Sequence, residues 1–267
     1  MISIKRCFAA LLLALGMSVS GAWDAHSETE VDLALVLAVD VSLSMESDEQ
    51  ELQRQGFVEA LRSPEVHQAI HKGILGRIAI TYVEWAGAWH QEIIVPWSVI
   101  EQPADSLRFA ERLSQSRTTR VGYTSISGAI DFSLRQLRES GVQPVRQVID
   151  ISGDGANNQG RTVTLARDEA VAQGITINGL PIMLKRPNSS WDIEDLDLYF
   201  QDCVIGGPGA FMIPVRAKHQ FIDAIKTKII REIAAQPQPQ VLVQLAQAVS
   251  PANCLAGEIR TRQRMGN

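Results

Sequence analysis

Three short stretches of the chain carry side chains whose types and spacing could do chemistry. They are Asp40-Val41-Ser42-Leu43-Ser44, Gly122-Tyr123-Thr124-Ser125 and Ser152-Gly153-Asp154-Gly155. Two carboxylates (Asp40, Asp154) and three hydroxyls (Ser42, Ser44, Thr124) stand in them. All five are hard oxygen donors, the set that suits Mg²⁺, with Mn²⁺ and Ca²⁺ as competitors. Mg²⁺ keeps some waters and takes few direct carboxylates. A site made mostly of hydroxyls therefore leaves the cation short of anionic charge and open to a carboxylate from elsewhere. The plain alternative is that Asp and Ser stand here only as turn and cap formers at strand–helix junctions.

These stretches need elements to bring them together. Val31 to Val39 (VDLALVLAV) is an apolar run, broken only by Asp32 and ending at Asp40, the pattern of a strand buried on both faces. Ser47 to Leu61 reads as a helix with Ser47 as its N-cap and acids in its first turn, and a short helical piece follows Pro64. Arg77–Trp85 and Trp89–Trp97 read as strands joined at Ala86-Gly87-Ala88 in an antiparallel hairpin. Ala104–Leu113 and Ser125–Leu137 are predicted helices, Val145–Ser152 a strand, Val163–Gln173 a helix closed by Gly174, and Ile175–Leu180 a strand. Ile193–Phe200 looks helical, Phe211–Val215 strand-like, and Ala217–Ala235 a long final helix. The alternation predicts an α/β fold: a doubly wound, mostly parallel sheet with one antiparallel edge strand and helices on both faces. In such a sheet, loops at the C-terminal strand ends meet where ligands bind. Asp40 and Asp154 leave neighbouring strands, so the three stretches can converge.

The order Asp40-x-Ser42-x-Ser44, a distant Thr124 opening a helix, and Asp154 in a Ser-Gly-Asp-Gly turn resembles the metal-ion-dependent adhesion site of von Willebrand factor A (vWA) domains. The resemblance covers roughly Val31 to Ala235, and all five motif positions have a match. It implies that Ser42, Ser44 and Thr124 ligate a metal while Asp40 and Asp154 hold it directly or through waters. One departure is visible: the last turn of the family commonly reads Thr-Asp-Gly, whereas Gly153 precedes Asp154 here. The segment from Trp191 to Phe211 is also similar to a bacterial exported vWA family of unknown function.

The N-terminus has the layout of a secretory signal peptide over residues 1–22: Lys5 and Arg6, an apolar run from Phe8 to Met17, then small residues up to a cleavage position after Ala22. The apolar run is too short to span a bilayer, and no second long one follows, so no transmembrane segment is expected in the mature chain. The expected domain is 28–235, followed by a Pro/Gln linker and C-terminal tail over 236–267, with an apolar segment at Val241–Val249 and a basic end at Arg260, Arg262 and Arg264. The chain has 25 basic and 30 acidic residues, a net charge of −5; losing Lys5 and Arg6 leaves 23 against 30, or −7. That balance argues against nucleic acid as a partner. Cys7 leaves with the signal. Cys203 and Cys254 remain, and in an oxidising compartment the pair invites a disulfide, two buried free thiols being the alternative.

Weaker signals have plainer readings. His67 and His71 are four apart, but no third zinc ligand is evident and Gln68 stands where a His-Glu-x-x-His motif needs Glu. Asn157 and Asn158 read as loop-capping residues, Asp192, Glu194, Asp195 and Asp197 as a solvated helix start, and Trp85, Trp89 and Trp97 as core or edge residues. There is no Gly-x-Ser-x-Gly elbow, Walker loop or Gly-x-Gly-x-x-Gly fingerprint. No histidine falls in the three stretches, so no general base is evident. The expectation is an exported, periplasmic or extracellular binding module, not an enzyme, whose cation is completed by a carboxylate of a protein partner. A metal-dependent hydrolase using the same cation and a structural envelope protein with a vestigial site are the alternatives.

Overall fold

The computed structural model describes residues 28–185, 193–234 and 251–266. The expected signal peptide, the linker, the Val241–Val249 segment and Asp192 lie outside the described residues.

Five strands form one sheet in the order β3-β2-β1-β4-β5. They are β1 (Thr29–Asp40), β2 (Ile78–Trp85), β3 (Gln91–Ile100), β4 (Val142–Gly153) and β5 (Thr176–Pro181). β1 lies parallel to both β2 and β4, and β4 parallel to β5. Only β3 runs antiparallel, at the edge. The central strand explains the apolar run. Leu33, Leu35, Leu37 and Val39 enter one core cluster and Ala34, Val36 and Ala38 the other. Successive side chains point to opposite faces, so a strand covered on both sides must be apolar at every position.

The first cluster is closed by α1 (Ser47–Arg62), α2 (Pro64–His71), α3 (Pro103–Gln115) and α7 (Phe221–Ala234), which supply Phe57, Ile70, Phe109 and Ile225. The second is closed by α4 (Ile126–Arg138) and α5 (Val163–Ala172), with α6 (Leu196–Tyr199) and a π-helical turn over Phe200–Val204 beside them. A last helix, α8 (Ala256–Met265), follows the stretch outside the described residues.

Several expectations are corrected. Helix α1 is preceded by Glu46 as its N-cap rather than capped by Ser47, because the Glu49 carboxylate accepts the Glu46 amide at 2.9 Å. The hairpin turn runs from Gly87 to His90, where the His90 amide donates to the Gly87 carbonyl at 3.1 Å; this puts Trp89 in the turn rather than in β3. The segment Phe211–Val215 is no full strand. It touches the free edge of β5 through bridges at Gly179–Met212 and Ile182–Val215, and Pro214 between them has no amide to give. The predicted helix Ile193–Phe200 starts only at Leu196 and winds on as the π-helical turn. The long last helix starts at Phe221, after a short 3₁₀ turn at Lys218–Gln220. Cys203 and Cys254 are joined in a disulfide, their Cα atoms 5.4 Å apart.

Candidate metal centre

The register of the sheet sets the site. Asp40 ends β1 beside Trp85 of β2, and Val39 pairs with Ser152 of β4, so both carboxylate loops leave the same end of the sheet. The second loop is stitched to the first by an isolated parallel bridge between Ser42 and Val121, just past the end of β1. The Leu43 amide donates to the Val121 carbonyl at 2.9 Å, and the Val121 amide to the Val41 carbonyl at 3.1 Å. Arg120 adds two bonds, from Nη2 to the carbonyls of Leu43 at 3.0 Å and Met45 at 2.6 Å. The residues before it are anchored by Arg54 of α1, which pairs with buried Glu84 and donates to the Ser116 carbonyl at 2.5 Å.

Tyr123 has φ 68°, a left-handed conformation unusual for a bulky residue. The turn delivers Thr124 inward. Its amide donates to the Asn158 Oδ1 at 2.9 Å, and the Asn158 amide donates back to the Thr124 carbonyl at 2.8 Å. Ser125 then caps α4, its Oγ accepting the Gly128 amide at 3.1 Å. Asn157 accepts the Ser127 amide at 3.0 Å. Both asparagines are loop-capping residues, as their position after the Asp154 turn suggested.

The five candidate ligands come together. The Ser42 amide donates to Asp40 Oδ1 at 2.7 Å. The Ser42 and Ser44 hydroxyls are 2.7 Å apart, and the Ser44 hydroxyl donates to Asp154 Oδ1 at 2.6 Å. Thr124 Oγ1 and Ser44 Oγ lie 3.7 and 4.0 Å from the point where a Cβ on Gly155 would stand. Asp40 is fully buried, and its Oδ2 has no hydrogen-bond partner among the described residues. Burial first, and the Asp154 carboxylate second, push the Asp40 carboxyl well above the usual carboxylate range; the Ser42 amide and hydroxyl and the Asp154 amide pull the other way. An orphaned buried oxygen beside a second carboxylate is a site short of positive charge. A hard divalent cation fits that donor set.

Two features escaped the sequence reading. Lys185, past the end of β5, donates to the Ser44 carbonyl at 2.5 Å and lies 3.0 Å from Glu49 and 3.7 Å from Asp154 Oδ2. Burial is the largest single influence and lowers its pKa, but Glu49, Asp154 and Glu46 together outweigh it and hold the ammonium above the usual lysine range. Gly153 packs so tightly that an added Cβ would sit 2.8 Å from Asp40 Oδ2.

The remaining sequence signals fall elsewhere. His67 of α2 donates from Nε2 to the Leu61 carbonyl at 2.9 Å, and the described residues hold no cluster of three or more His, Cys, Asp or Glu with metal-binding placement. Asp195 precedes α6, and Asp197 pairs with Arg216 at 2.5 Å. Trp85 is core, Trp97 donates to the Gln136 carbonyl at 3.1 Å, and Trp89 is 93% exposed.

A family model described as "Protein of unknown function (DUF1194)" matches residues 30–237. The chain belongs to the DUF1194 family. No curated protein sequence matches this DUF1194 chain. Its fold is that of vWA domains. A von Willebrand factor type A structure from Catenulispora acidiphila superposes with a TM-score of 0.54 at 10% identity, covering 76% of this chain and 43% of that one. Proximal thread matrix protein 1 from the mussel byssus gives 0.54 at 13% identity, covering 78% and 49%. The pilus adhesin SpaC from Lactobacillus rhamnosus GG, in its open conformation, gives 0.53 at 11% identity, covering 78% and 31%. The chain spans less than half the length of each. No helix among the described residues is long and apolar enough to cross a membrane.

Proposed function

We propose that this DUF1194 chain is a divalent-cation-dependent protein-binding module of adhesion type. Asp40, Ser42, Ser44, Thr124 and Asp154 hold Mg²⁺, or Mn²⁺ or Ca²⁺ in its place, and a carboxylate of a protein partner completes the site. The observation that carries this reading is the buried, unpartnered Oδ2 of Asp40 near Asp154, whose own Oδ1 accepts from the Ser44 hydroxyl beside Ser42. When bound, the cation supplies an electrophilic point for an incoming oxygen ligand. The chain's own residues aim their oxygens at that point and keep it rigid. Asp40 is locked by the Ser42 amide, Ser44 by Asp154, and Thr124 by the reciprocal bonds with Asn158. The fold shared with an adhesin and a matrix protein supports a binding role, and the chain's acidity disfavours nucleic acid as the occupant.

Export follows from the signal-peptide reading of residues 1–22, which puts the module, 28–235, in the periplasm or outside the cell, followed by the linker and tail over 236–267. Titration calorimetry with Mg²⁺, Mn²⁺ and Ca²⁺ tests the site. Wild type is expected to bind at least one of them, and Asp40→Ala to bind none while its circular dichroism spectrum is retained. Absence of cation binding in folded wild type refutes the reading. Phosphoester turnover that vanishes in Asp154→Ala would replace it with hydrolysis.

A further inference from the structure

Above the candidate cation site lies a cleft of about 700 Å³ with two walls. One wall is the loop system, with Leu43, Arg120 and Tyr123. The other is α8, with Thr261, Arg264 and Met265. A ten-residue, polar, basic helix is marginal alone in water. Here it is clamped. The disulfide ties Cys254, just before it, to Cys203. The Ala252 amide donates to Asp202 at 2.8 Å, and Asn157 Nδ2 donates to Glu258 at 2.8 Å. Gly257 rests on the Asn157 carbonyl so closely that any side chain there would collide with it. Asn157 belongs to the loop that follows Asp154, so α8 is fastened to the site itself.

The cleft differs in charge from the rest of the chain. Arg120, Lys185 and Arg264 line it against Glu46 alone; with Lys185 paired to Glu49 and Asp154 beneath, the cleft keeps a side-chain balance of +1 in a chain of net charge −5. Leu43, Tyr123 and Met265 stand exposed around it. Thr261 lines it, and its hydroxyl is buried with no hydrogen-bond partner among the described residues.

We infer that α8 is a specificity wall of the binding cleft, and that the occupant is an acidic peptide segment. One carboxylate of that segment goes to the cation site, and a second is read by Arg264, with Met265 beside it for an apolar neighbour. This rests on the cation-dependent reading above. The arginine supplies a planar, forked donor for a carboxylate, which a lysine would not.

The test uses the full mature chain with a fluorescein-labelled oligoglutamate peptide, read by anisotropy with Mg²⁺ or Mn²⁺ present. Arg264→Glu is expected to weaken binding by about tenfold or more. Arg262→Glu makes the same charge change on the same helix outside the cleft and is expected to weaken it by less than about threefold. Cys254→Ser is expected to lose peptide affinity while the α/β body keeps its circular dichroism. Calorimetric cation affinity should be unchanged in all three. Equal losses in Arg264→Glu and Arg262→Glu, or no loss in Arg264→Glu, or no peptide binding by wild type, overturn the inference. If wild type binds no cation yet holds the peptide in an Arg264-dependent way, the cation reading fails and the α8 wall stands.

Discussion

Replacing Gly153 with alanine probes the cation site without removing a ligand. The new Cβ would sit 2.8 Å from Asp40 Oδ2, 3.3 Å from Asp40 Cβ and 3.4 Å from the Trp85 ring. Trp85 is fully buried against the sheet and cannot yield. The Asp40 carboxylate must therefore move by several tenths of an ångström. Metal–oxygen distances tolerate only about 0.2 Å. Disturbing the groups that orient ligands costs about 10- to 100-fold in metal affinity, or about 1.4–2.7 kcal/mol. Gly153→Ala is thus expected to weaken Mn²⁺ or Mg²⁺ binding by that factor in a calorimetric titration, with the folded spectrum retained. Gly155→Ala is the internal control. Its Cβ would meet Thr124 Oγ1 and Ser44 Oγ at 3.7 and 4.0 Å, ordinary contact distances, so its loss should be smaller. If Gly153→Ala binds cation within about twofold of wild type, Oδ2 of Asp40 does not face the cation and the geometric reasoning is wrong.

Two further predictions concern the core beneath the site. Lys228 of α7 is buried between Asp150 at 2.5 Å and Glu232 at 2.6 Å, so Lys228→Met strands two carboxylates and should cost about 3–5 kcal/mol in urea unfolding; a loss under about 1 kcal/mol would show that the carboxylates are neutral in the fold. Burial first and Glu232 second raise the Asp150 carboxyl from 3.8 to about 7, against the pull of Lys228. A folded pKa above the unfolded one gives stability that is whole below about pH 4 and declines as pH rises to about 7, by at most about 4 kcal/mol. Asp150→Asn should flatten that decline in melts run across the window, and an unchanged slope would refute the assignment.

What was legible in the sequence follows from how local each signal is. The run Val31–Val39 had to be a central strand because it is apolar, and buried in the fold, at every position except Asp32. Its polar terminator, Asp40, therefore marked a loop at the strand end. The same logic placed Asp154 after β4, and helix periodicity placed Thr124 before α4. The cost of a side chain at Gly153 was invisible, because it depends on the distance to Asp40, over a hundred residues earlier. That packing also gives the departure from the common Thr-Asp-Gly turn a physical cause: any Cβ at Gly153 competes with the Asp40 carboxylate. Lys185 gave no signal, since a lone lysine after a strand looks like any solvated charge. Helix α8 was missed for a related reason. Its sequence, AGEIRTRQRM, has few apolar residues and no core-facing stripe. It is held by the disulfide, by Asn157 and by a glycine contact, all tertiary.

The charge count around the site links the two proposals. Inside the site, Asp40, Asp154 and Glu49 carry three negative charges when ionised, and Lys185, which also lies 3.9 Å from the exposed Glu46, returns one. The remaining deficit is two. Asp40 resists ionisation in the protein alone because it is buried first and faces Asp154 second, and the deficit of two equals the charge of one divalent cation. With the cation bound, the inner site is neutral and has no excess attraction left for an anion. A partner carboxylate entering it then brings a new, uncompensated negative charge into a half-enclosed cleft, where its desolvation is costly. The compensation has to come from the walls. Arg120 is committed to the Leu43 and Met45 carbonyls, which it must hold to keep the loops in register. Arg264 is the cation that the second wall adds. A cleft formed by the loops alone would bind the metal and leave the incoming carboxylate poorly balanced. Fastening α8 through Cys203, Asp202 and Asn157 places an arginine on that side of the cleft, and makes affinity for an acidic partner depend on a helix that contributes nothing to holding the metal.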